Sequence, residues 1–513
     1  MPSSSRPWAP ACALALVLSV APSAARAATF VVTTTLDFPR HPSADACDCR
    51  STARTGACTL RAAVQTANAC PGADVVRLGT ATYLLSQSGT FEDAGQTGDL
   101  DVHEELTIVG EGIERTFIDA SDDDRILDHH GGPGSGLTVT DLTLQHGLAP
   151  VGLDEVGGCL RNWPSAGLML TRVRMQQCGA RTGGALYVVE TNVHLIETTI
   201  RESTAFGAGG ALFRASPVLI EDSFFDENVA SVYGGGLAVE GNGVGAPLPV
   251  TLIRVHVRGN QATEGGGMTT HASSHPMAVL VLDSVFEANQ ALGSTATGGA
   301  LLAYGGFATN QIHQTRFIRN EAGDRGGAIF GGALAVYEST FVGNTAARGG
   351  AMSLLSEAEL VSSTFVANIA TSQGGAIHAA ANAPSPMSAQ QITIAWNQAP
   401  SGSGIFVGPS TQLEIRSTIV ADNFGGPECQ NVTSLGWNLS PDPTCVSQAT
   451  DLIGAPAFAY FGMHGGPTET LALTAASPAV DAADPVTCEP TDQRGVARPQ
   501  GAGCDIGAYE LVP

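Results

Sequence analysis

The sequence predicts an all-β protein folded as a right-handed parallel β-helix, with a short capping helix near the N-terminus. Two marks recur in phase along the middle of the chain. One is a glycine pair followed by a small and an apolar residue, as in Gly374-Gly375-Ala376-Ile377. The other is an apolar residue separated from Asn by two residues, as with Phe365 and Asn368. The glycine mark returns with a mean step of about 27 residues, which indicates a solenoid that completes one coil per repeat.

Short runs of alternating polar and apolar residues lie between the marks. Such runs are typical of half-buried strands, and we expect three per coil. Glycine supplies the positive φ of tight corners, and Asn is expected to occupy left-handed corners as well. Equivalent Asn side chains would form a ladder, and Phe286, Phe317, Phe341 and Phe365 would stack inside. Residues 101–425 would form about twelve coils, a rod on the order of 60 Å.

The first 27 residues are predicted to be a secretory signal peptide. A short apolar run precedes Ala25-Arg26-Ala27, which has the small residues of a cleavage site, although an uncleaved anchor helix is the alternative. No later segment reaches about 18 consecutive apolar residues, so the mature chain is expected to lack a transmembrane segment. The sequence contains no lysine and carries a net charge of −24. That charge argues against a nucleic-acid partner.

Ten cysteines lie outside the predicted signal peptide. An even number in local groups on an exported chain predicts disulfide bonds, with a zinc site as the alternative for the first four. Cys159 and Cys178 are 19 residues apart, so their pairing is expected to require the loop after Cys178 to fold back. The disulfide candidates are Cys47, Cys49, Cys58, Cys70, Cys159, Cys178, Cys429, Cys445, Cys488 and Cys504.

Residues 28–100 are predicted to be a cysteine-rich N-terminal cap. Residues 58–69 have the pattern of an amphipathic helix with Thr59 as N-cap and Leu60, Val64 and Ala67 on one face. Cys58, Leu60, Arg61 and the later Ala-Asn pair resemble a bacterial family named for a Cys-Ser-Leu-Arg-Glu-Ala (CSLREA) motif, although Thr and Ala replace its Ser and Glu.

Residues 426–513 form a third region, which is expected to close the far end of the solenoid. Its segments 477–481, 492–495 and 503–510 resemble the choice-of-anchor Q C-terminal region. The glycine and Asn marks from 157 to about 400 resemble the repeats of chlamydial polymorphic outer-membrane proteins. These resemblances imply a secreted or surface β-helical protein with no defined activity.

Acidic residues give the candidates for a calcium site. Asp122, Asp123 and Asp124 are the calcium-ligand candidates, in a patch that extends from Asp119 to His130. Because this patch spans about half a coil, it is not expected to form a carboxylate pair across coils. Residues 93, 99 and 101, all Asp, are a second possible cluster, and solvated loops are the simpler interpretation of both. The scattered histidines, among them His271 and His378, are expected at the surface.

The predicted function is adhesive or structural, with an extracellular polysaccharide or a surface protein as partner, no identifiable catalytic residue and no cofactor except possible calcium. The alternative is a polysaccharide lyase or glycoside hydrolase on the same fold. Acids and aromatic residues gathered from three neighbouring coils would favour the enzyme. Uniformly small outer residues would favour the scaffold.

Overall fold

The protein is a parallel β-helix of about 12 turns with one short helix, as predicted. The structure, a computed structural model, describes residues 27–152, 155–241, 247–272, 277–304, 308–380 and 386–513. The predicted signal peptide, except its last residue, lies outside the described residues. Strands of successive coils pair in parallel and in register, and they form four columns that we name stacks 1 to 4.

Stacks 1 and 2 belong to one continuous sheet of 28 strands. Stack 1 consists of Thr29–Val31, Asp74–Arg77, Leu106–Val109, Val193–Ile196, Val218–Glu221, Leu248–Ile253, Met277–Leu282, Ala308–His313, Leu334–Tyr337, Ala358–Val361, Met387–Gln390, Glu414–Arg416 and Thr433–Ser434. Stack 2 consists of Ala81–Leu84, Thr116–Asp119, Thr199–Arg201, Phe224–Asp226, His256–Arg258, Val285–Glu287, Arg316–Ile318, Thr340–Val342, Thr364–Val366, Thr393–Ala395, Ile419–Ala421, Leu439–Ser440 and Leu452–Ile453. Two longer strands, Gly132–Gln145 and Ser165–Gln176, contribute to both stacks.

Stack 3 has 8 short strands and stack 4 has 13. Stack 3 consists of Gly179–Ala180, Thr204–Ala205, Val229–Ala230, Gln261–Ala262, Gln290–Ala291, Glu321–Ala322, Thr345–Arg348 and Ile369–Gln373. Stack 4 consists of Leu100–Val102, Leu127–His129, Leu160–Asn162, Leu186–Val189, Ala211–Arg214, Leu237–Gly241, Met268–Ala272, Leu301–Tyr304, Ile329–Gly331, Met352–Leu354, Ile377–Ala379, Ile405–Val407 and Cys429–Gln430.

The strand count and the solenoid limits differ from the prediction. Most coils contain four short strands rather than three, because a left-handed residue such as Glu197 or Asp222 bends the chain between stacks 1 and 2. Parallel pairing begins at Thr29–Val31 and ends at Leu452–Ile453, so the solenoid extends beyond the predicted limits of 101 and 425 at both ends.

The interior contains the predicted aromatic column. The rings of Phe317, Phe341 and Phe365 lie 4.7 and 4.6 Å apart and nearly parallel, and Phe286 stacks 5.1 Å from Phe317. All four side chains are fully buried. Because each Phe recurs at the same register of stack 2, one apolar column forms from residues that are distant in sequence.

The predicted Asn ladder is also present, but its backbone conformation differs from the expectation. Each Asn side chain donates to the Asn of the next coil, with Nδ2–Oδ1 distances of 2.8–3.0 Å from Asn228 to Asn423. The left-handed conformation belongs to the preceding residue, such as Ala367 at φ 55°, which frees the Asn side chain to point inward. The last amide, that of Asn423, donates to the Glu428 carboxylate at 2.5 Å, which ends the ladder.

The glycine residues of one sequence mark contact the Asn side chains of the other. A Cβ at Gly210 would lie 3.0 Å from the Asn228 side chain, and one at Gly236 would lie 3.1 Å from Asn260. In an earlier coil, the Cys159–Cys178 disulfide takes the place of this contact. Cys159 occupies the register position of Gly210, and Cys178 occupies the position of Asn228 two coils earlier. The bond therefore replaces the glycine–amide contact and needs no folded-back loop.

The other eight cysteines of the described residues are also paired. The bonds are Cys47–Cys70, Cys49–Cys58, Cys429–Cys445 and Cys488–Cys504. Because the first four cysteines form two disulfides, the zinc alternative is wrong for this group.

The N-terminal helix is α1, Leu60–Ala67, and its Thr59 side chain accepts the Ala62 N–H at 3.1 Å, as predicted for an N-cap. The helix is buried on every side rather than amphipathic. Arg61 is therefore buried as well, and its charge is neutralised by Asp37, with Nε and Oδ1 2.7 Å apart. Arg61 also donates to the backbone carbonyls of Gly95, Gly98 and Asp99, so it attaches the helix to the chain that enters stack 4.

The C-terminal segment, residues 454–513, folds back along the outer side of stack 2 instead of closing the end of the solenoid. It contains an antiparallel hairpin, Phe458–Gly462 and Thr470–Leu473. Its buried Gln493 accepts from Thr364 at 2.6 Å and donates to Thr340 at 2.9 Å. Outer Thr and aliphatic residues of these coils provide a surface on which the segment can dock.

Candidate functional site

A column of mostly ring-bearing and charged side chains runs along the outside of stack 4. We name it the ring stripe, and it consists of His103, His130, Trp163, Val189, Arg214, Glu240, His271 and Tyr304. Each member follows from the register: Arg214, Glu240, His271 and Tyr304 are direct partners in successive strands. At the other end, His130 and Trp163 continue the pairing of Val102, His129 and Asn162.

The rings of the stripe lie close enough to form a nearly continuous surface at its first coils. The ring centroids of His103 and His130 are 6.1 Å apart, and those of His130 and Trp163 are 6.2 Å apart. The Arg161 guanidinium lies 5.2 Å from the Trp163 ring centre. At the other end, His271 and Tyr304 are 5.6 Å apart, and Tyr304 is 55% exposed.

The last coils of the stripe border a cavity of about 360 Å³. Tyr233, Glu240, Glu264, His271 and Tyr304 line it, and they come from neighbouring coils. The Tyr233 hydroxyl donates to a Glu240 carboxylate oxygen at 2.8 Å. Burial, followed by the Glu240 charge, raises the pKa of Tyr233, so this phenol remains a hydrogen-bond donor at neutral pH.

A larger cavity, of about 660 Å³, lies across stack 1 and has a different lining. Small and aliphatic residues such as Gly136, Ala166, Val218 and Pro249 dominate it. Its lining includes polar residues but a single aromatic ring, that of His194, whereas the ring stripe combines several flat rings with hydrogen-bonding groups.

A cluster of buried acidic residues lies at the start of stack 4, on the outer side of its first two strands. Asp101, Asp128 and Arg161 are register partners in the first three strands. The Arg125 guanidinium lies 2.9 Å from Asp99 and 3.3 Å from Asp128. His130 Nε2 lies 3.0 Å from the Asp128 carboxylate, and Arg161 also pairs with that carboxylate.

Burial changes the acidity of this cluster. It raises the pKa of Asp99 to about 7, and the neighbouring Asp124 charge adds to the effect. It raises the pKa of Asp101 to about 8, with Asp99 and Asp128 as the nearest repelling charges. For Asp128 the bonds to His130 and Arg161 prevail over burial, and its pKa is lowered. The cluster therefore contains carboxyl groups of very unequal proton affinity.

The calcium-ligand candidates fall beside this cluster and only partly within it. Asp122 and Asp123 are exposed on a turn, while Asp124 is buried next to Arg125. The oxygens of Asp99, Asp101 and Asp128 lie within 4.8 Å of one another, as do ligand atoms of Asp93, Asp101 and His130. The expectation concerned pairs within the patch. Across coils, Asp128 of the patch instead meets Asp101 of the second cluster, its register partner one coil away.

The ring stripe was missed in the sequence because its members share no residue type. The available signal was position, since the six members from Trp163 to Tyr304 follow the glycine mark by four or five residues, as with Gly158 and Trp163. His271 lies at the surface as expected, but His378 is buried against Phe406, with ring centres 5.4 Å apart. Burial lowers the pKa of His378 to about 4.

Comparison with protein families identifies one repeat. Residues 362–380 match the family described as Chlamydia polymorphic membrane protein (Chlamydia_PMP) repeat. This match contains both sequence marks, Phe365 with Asn368 and the glycine pair that begins at Gly374. It supports the resemblance of the repeats to that family and, with the five disulfides, fits a secreted or surface protein.

The search among curated proteins found no match. Among solved structures, the chain is similar to the tailspike protein 3 of bacteriophage CBA120, with 13% identity and a TM-score of 0.40 over 73% of this chain and 56% of the tailspike. The chain thus spans just over half of the tailspike's length. The Agl-KA catalytic domain matches with 13% identity and a TM-score of 0.41 over 79% of this chain and 68% of that domain. Pectate lyase Pel9A matches with 12% identity and a TM-score of 0.29 over 94% and 96% of the two chains. At these scores, the similarities carry no argument about ligand or reaction.

Within the described residues, no helix is long and apolar enough to cross a membrane.

Proposed function

We propose that this protein is a secreted or cell-surface β-helix that binds an extended, uncharged polysaccharide along the ring stripe. The observation that carries the proposal is the alignment of Trp163, His271 and Tyr304 in one outer column of stack 4. We further propose that residues 28–100 are a CSLREA-like cap and that residues 426–513 are a choice-of-anchor Q-like region. Neither region contributes Trp163, His271 or Tyr304.

The dimensions of the stripe suit a polymer. Its eight positions are separated by seven coil spacings of about 4.8 Å, which gives a length of about 34 Å. Aromatic side chains offer an apolar face and a polar edge, which suits a sugar ring with an apolar face and hydroxyl groups at its edge. Arg214, Glu240 and Glu264 provide hydrogen-bonding groups beside the rings.

The net negative charge of the protein indicates which class of polysaccharide it can bind. The chain carries 48 acidic residues against 24 basic ones, a net charge of −24. A strongly negative protein repels polyanions at long range, especially at low salt. An uncharged polysaccharide is therefore a better partner than a polyuronate.

A second candidate function, polysaccharide cleavage, is favoured by one observation. Glu240 and Glu264 line the same cavity as His271 and Tyr304, and carboxyl groups beside a bound sugar could serve as acid and base. Acids and aromatic residues from neighbouring coils thus line one cavity, which is the arrangement expected of a polysaccharide lyase or glycoside hydrolase.

The proposal is tested by electrophoresis of the purified protein through gels containing neutral or acidic polysaccharides. We expect retardation by at least one uncharged glucan, mannan or xylan, and we expect Tyr304→Ala to weaken it about tenfold or more, since stacked aromatic residues dominate such contacts. Tyr460→Ala is the matched control, because Tyr460 is similarly exposed, at 61% against 55%, but lies on the C-terminal hairpin.

The outcomes separate binding from cleavage. New reducing ends in the same incubation, abolished by Glu240→Gln or Glu264→Gln with retardation preserved, would establish the enzyme. Retardation by acidic polymers alone, or equal losses in Tyr304→Ala and Tyr460→Ala, would refute binding at the ring stripe.

A further inference from the structure

The buried acidic cluster contains two groups of potential metal ligands that share one residue. Ligand oxygens of Asp99, Asp101 and Asp128 lie within 4.8 Å of one another, and those of Asp93 and Asp101 lie equally close to a His130 nitrogen. Asp101 is therefore the common member. The first group is fully buried and contains only carboxylates, which are the ligands that Ca²⁺ prefers.

One oxygen of Asp101 lacks a partner among the described residues. Asp101 is 1% exposed, and its Oδ2 accepts the Gly95 N–H at 2.6 Å. Its Oδ1 is buried and accepts no hydrogen bond. A buried carboxylate oxygen without a donor is costly, so it indicates a missing positive partner.

The charges of the cluster do not balance. Four buried carboxylates, those of Asp99, Asp101, Asp124 and Asp128, face two guanidinium groups, those of Arg125 and Arg161. Arg61 is already matched by Asp37. When the His130 imidazole beside Asp128 is neutral, the excess of two negative charges equals the charge of one divalent cation. Two protons would balance it equally, and the raised pKa values of Asp99 and Asp101 describe that competing state.

We propose that Asp99, Asp101 and Asp128 bind one Ca²⁺ ion, which attaches the chain entering stack 4 to the second coil of that stack. The ion would supply the partner that Asp101 Oδ1 lacks. Its role is structural, and the proposal does not depend on the ring stripe binding a polysaccharide.

Calorimetry measures the site directly. Purified, disulfide-bonded protein freed of metal with a chelator is titrated with Ca²⁺, and we expect one ion per chain. Asp101→Asn preserves the shape of the side chain but removes the charge, and we expect it to weaken binding about tenfold or more. Asp123→Asn is the matched control, because it removes an exposed carboxylate two residues from Arg125.

Terbium provides a second, positional readout. Tb³⁺ commonly replaces Ca²⁺ in oxygen sites and emits when a nearby tryptophan is excited. Trp163 lies 6.2 Å from the ring of His130, which itself contacts Asp128. We expect emission that Ca²⁺ suppresses and that Trp163→Phe abolishes while the calorimetric heat remains.

Each result decides the proposal. Absence of Ca²⁺ heat from the wild-type protein at pH 8, where protons compete least, would overturn it. So would equal binding by wild type and a folded Asp101→Asn variant. If that variant does not fold, a Ca²⁺-dependent rise of the wild-type Tm supports the site, and a Tm independent of Ca²⁺ rejects it.

Discussion

The outer side of stack 2 differs sharply between its exposed and covered coils. In the exposed coils, one outer row contains Arg201, Asp226, Arg258 and Glu287. In the covered coils, the same row continues as Ile318, Val342, Val366, Ala395 and Ala421. Val366 and Ala395 pack against Leu471 of the C-terminal segment, and Ala421 packs in the cluster that contains Leu473 and Ile506.

The inward residues show no such change. Phe225 belongs to an exposed coil and Phe341 to a covered one, yet both are buried in the same column. The repeat therefore determines the inside of the solenoid uniformly, whereas the outside is determined coil by coil by whatever covers it.

The largest predicted effect tests this uniformity. Phe225→Ala and Phe341→Ala should each lower the free energy of unfolding by about 3–5 kcal/mol, because each leaves a cavity in a packed core. Chemical denaturation monitored by circular dichroism measures both. A loss confined to Phe341→Ala would show that the interior also depends on the C-terminal segment.

Introducing a charge into the covered row should have the next largest effect. Ala395 is fully buried beneath the segment, so Ala395→Asp should cost about 3–5 kcal/mol by leaving a buried charge unpaired. Limited proteolysis should then cut residues 454–513. Asp226→Ala changes the same row in an exposed coil and should alter stability by less than about 0.5 kcal/mol. Equal protease resistance of the two variants would contradict the docking.

Removing the central docking amide should have a smaller effect. Gln493 bonds to Thr340, Thr364 and Thr468 within the contact. Gln493→Ala leaves these hydroxyl groups with fewer partners and should cost about 1–3 kcal/mol, measured by thermal unfolding. Gln500→Ala is the control, because Gln500 is exposed and its side chain donates only to a local carbonyl.

A pH titration sharpens the comparison with stack 4, where covered outer residues include ionisable carboxyl groups. The pKa values of Asp99 and Asp101 are raised above the unfolded value of 3.8, to about 7 and about 8. Between about pH 4 and 8 these two carboxyl groups therefore hold more protons in the folded state than in the unfolded state, so their contribution to stability falls as pH rises. Without Ca²⁺ the Tm should decline over this range. The decline should be smaller in Asp101→Asn, with melting curves at fixed salt as the measurement.

The sequence was sufficient to predict the inward columns of the repeat and the N-terminus of the helix. The Phe column, the Asn ladder and the N-cap at Thr59 follow from spacing and local chemistry, and all three are present. The corner conformation was wrong because spacing does not say which of two adjacent residues is left-handed. The ring stripe could not be recognised from composition, since it joins dissimilar residues. The Asp99–Asp101–Asp128 group was divided between two predicted clusters, because the proximity of Asp101 and Asp128 depends on register.

The position of the C-terminal segment was equally beyond the sequence. Gln493 and Glu510 lie in motifs that resemble a known region, but nothing in those motifs shows that Gln493 would bond to Thr364, 129 residues earlier. The indication was indirect, in the change of the outer row from charged to aliphatic residues. That change becomes visible only once the coils are aligned.

The Asn ladder has a consequence for how proteins of this design vary in length. Each internal amide bonds to its counterparts and to backbone carbonyls of the adjacent coil, as Asn260 does to Phe225, and the series ends where Asn423 meets the Glu428 carboxylate. A duplicated coil inserted before Asn423 would find compatible neighbours on both sides, whereas one inserted after it would separate the terminating pair. Natural length variants should therefore differ by whole coils upstream of this stop and conserve the stop itself.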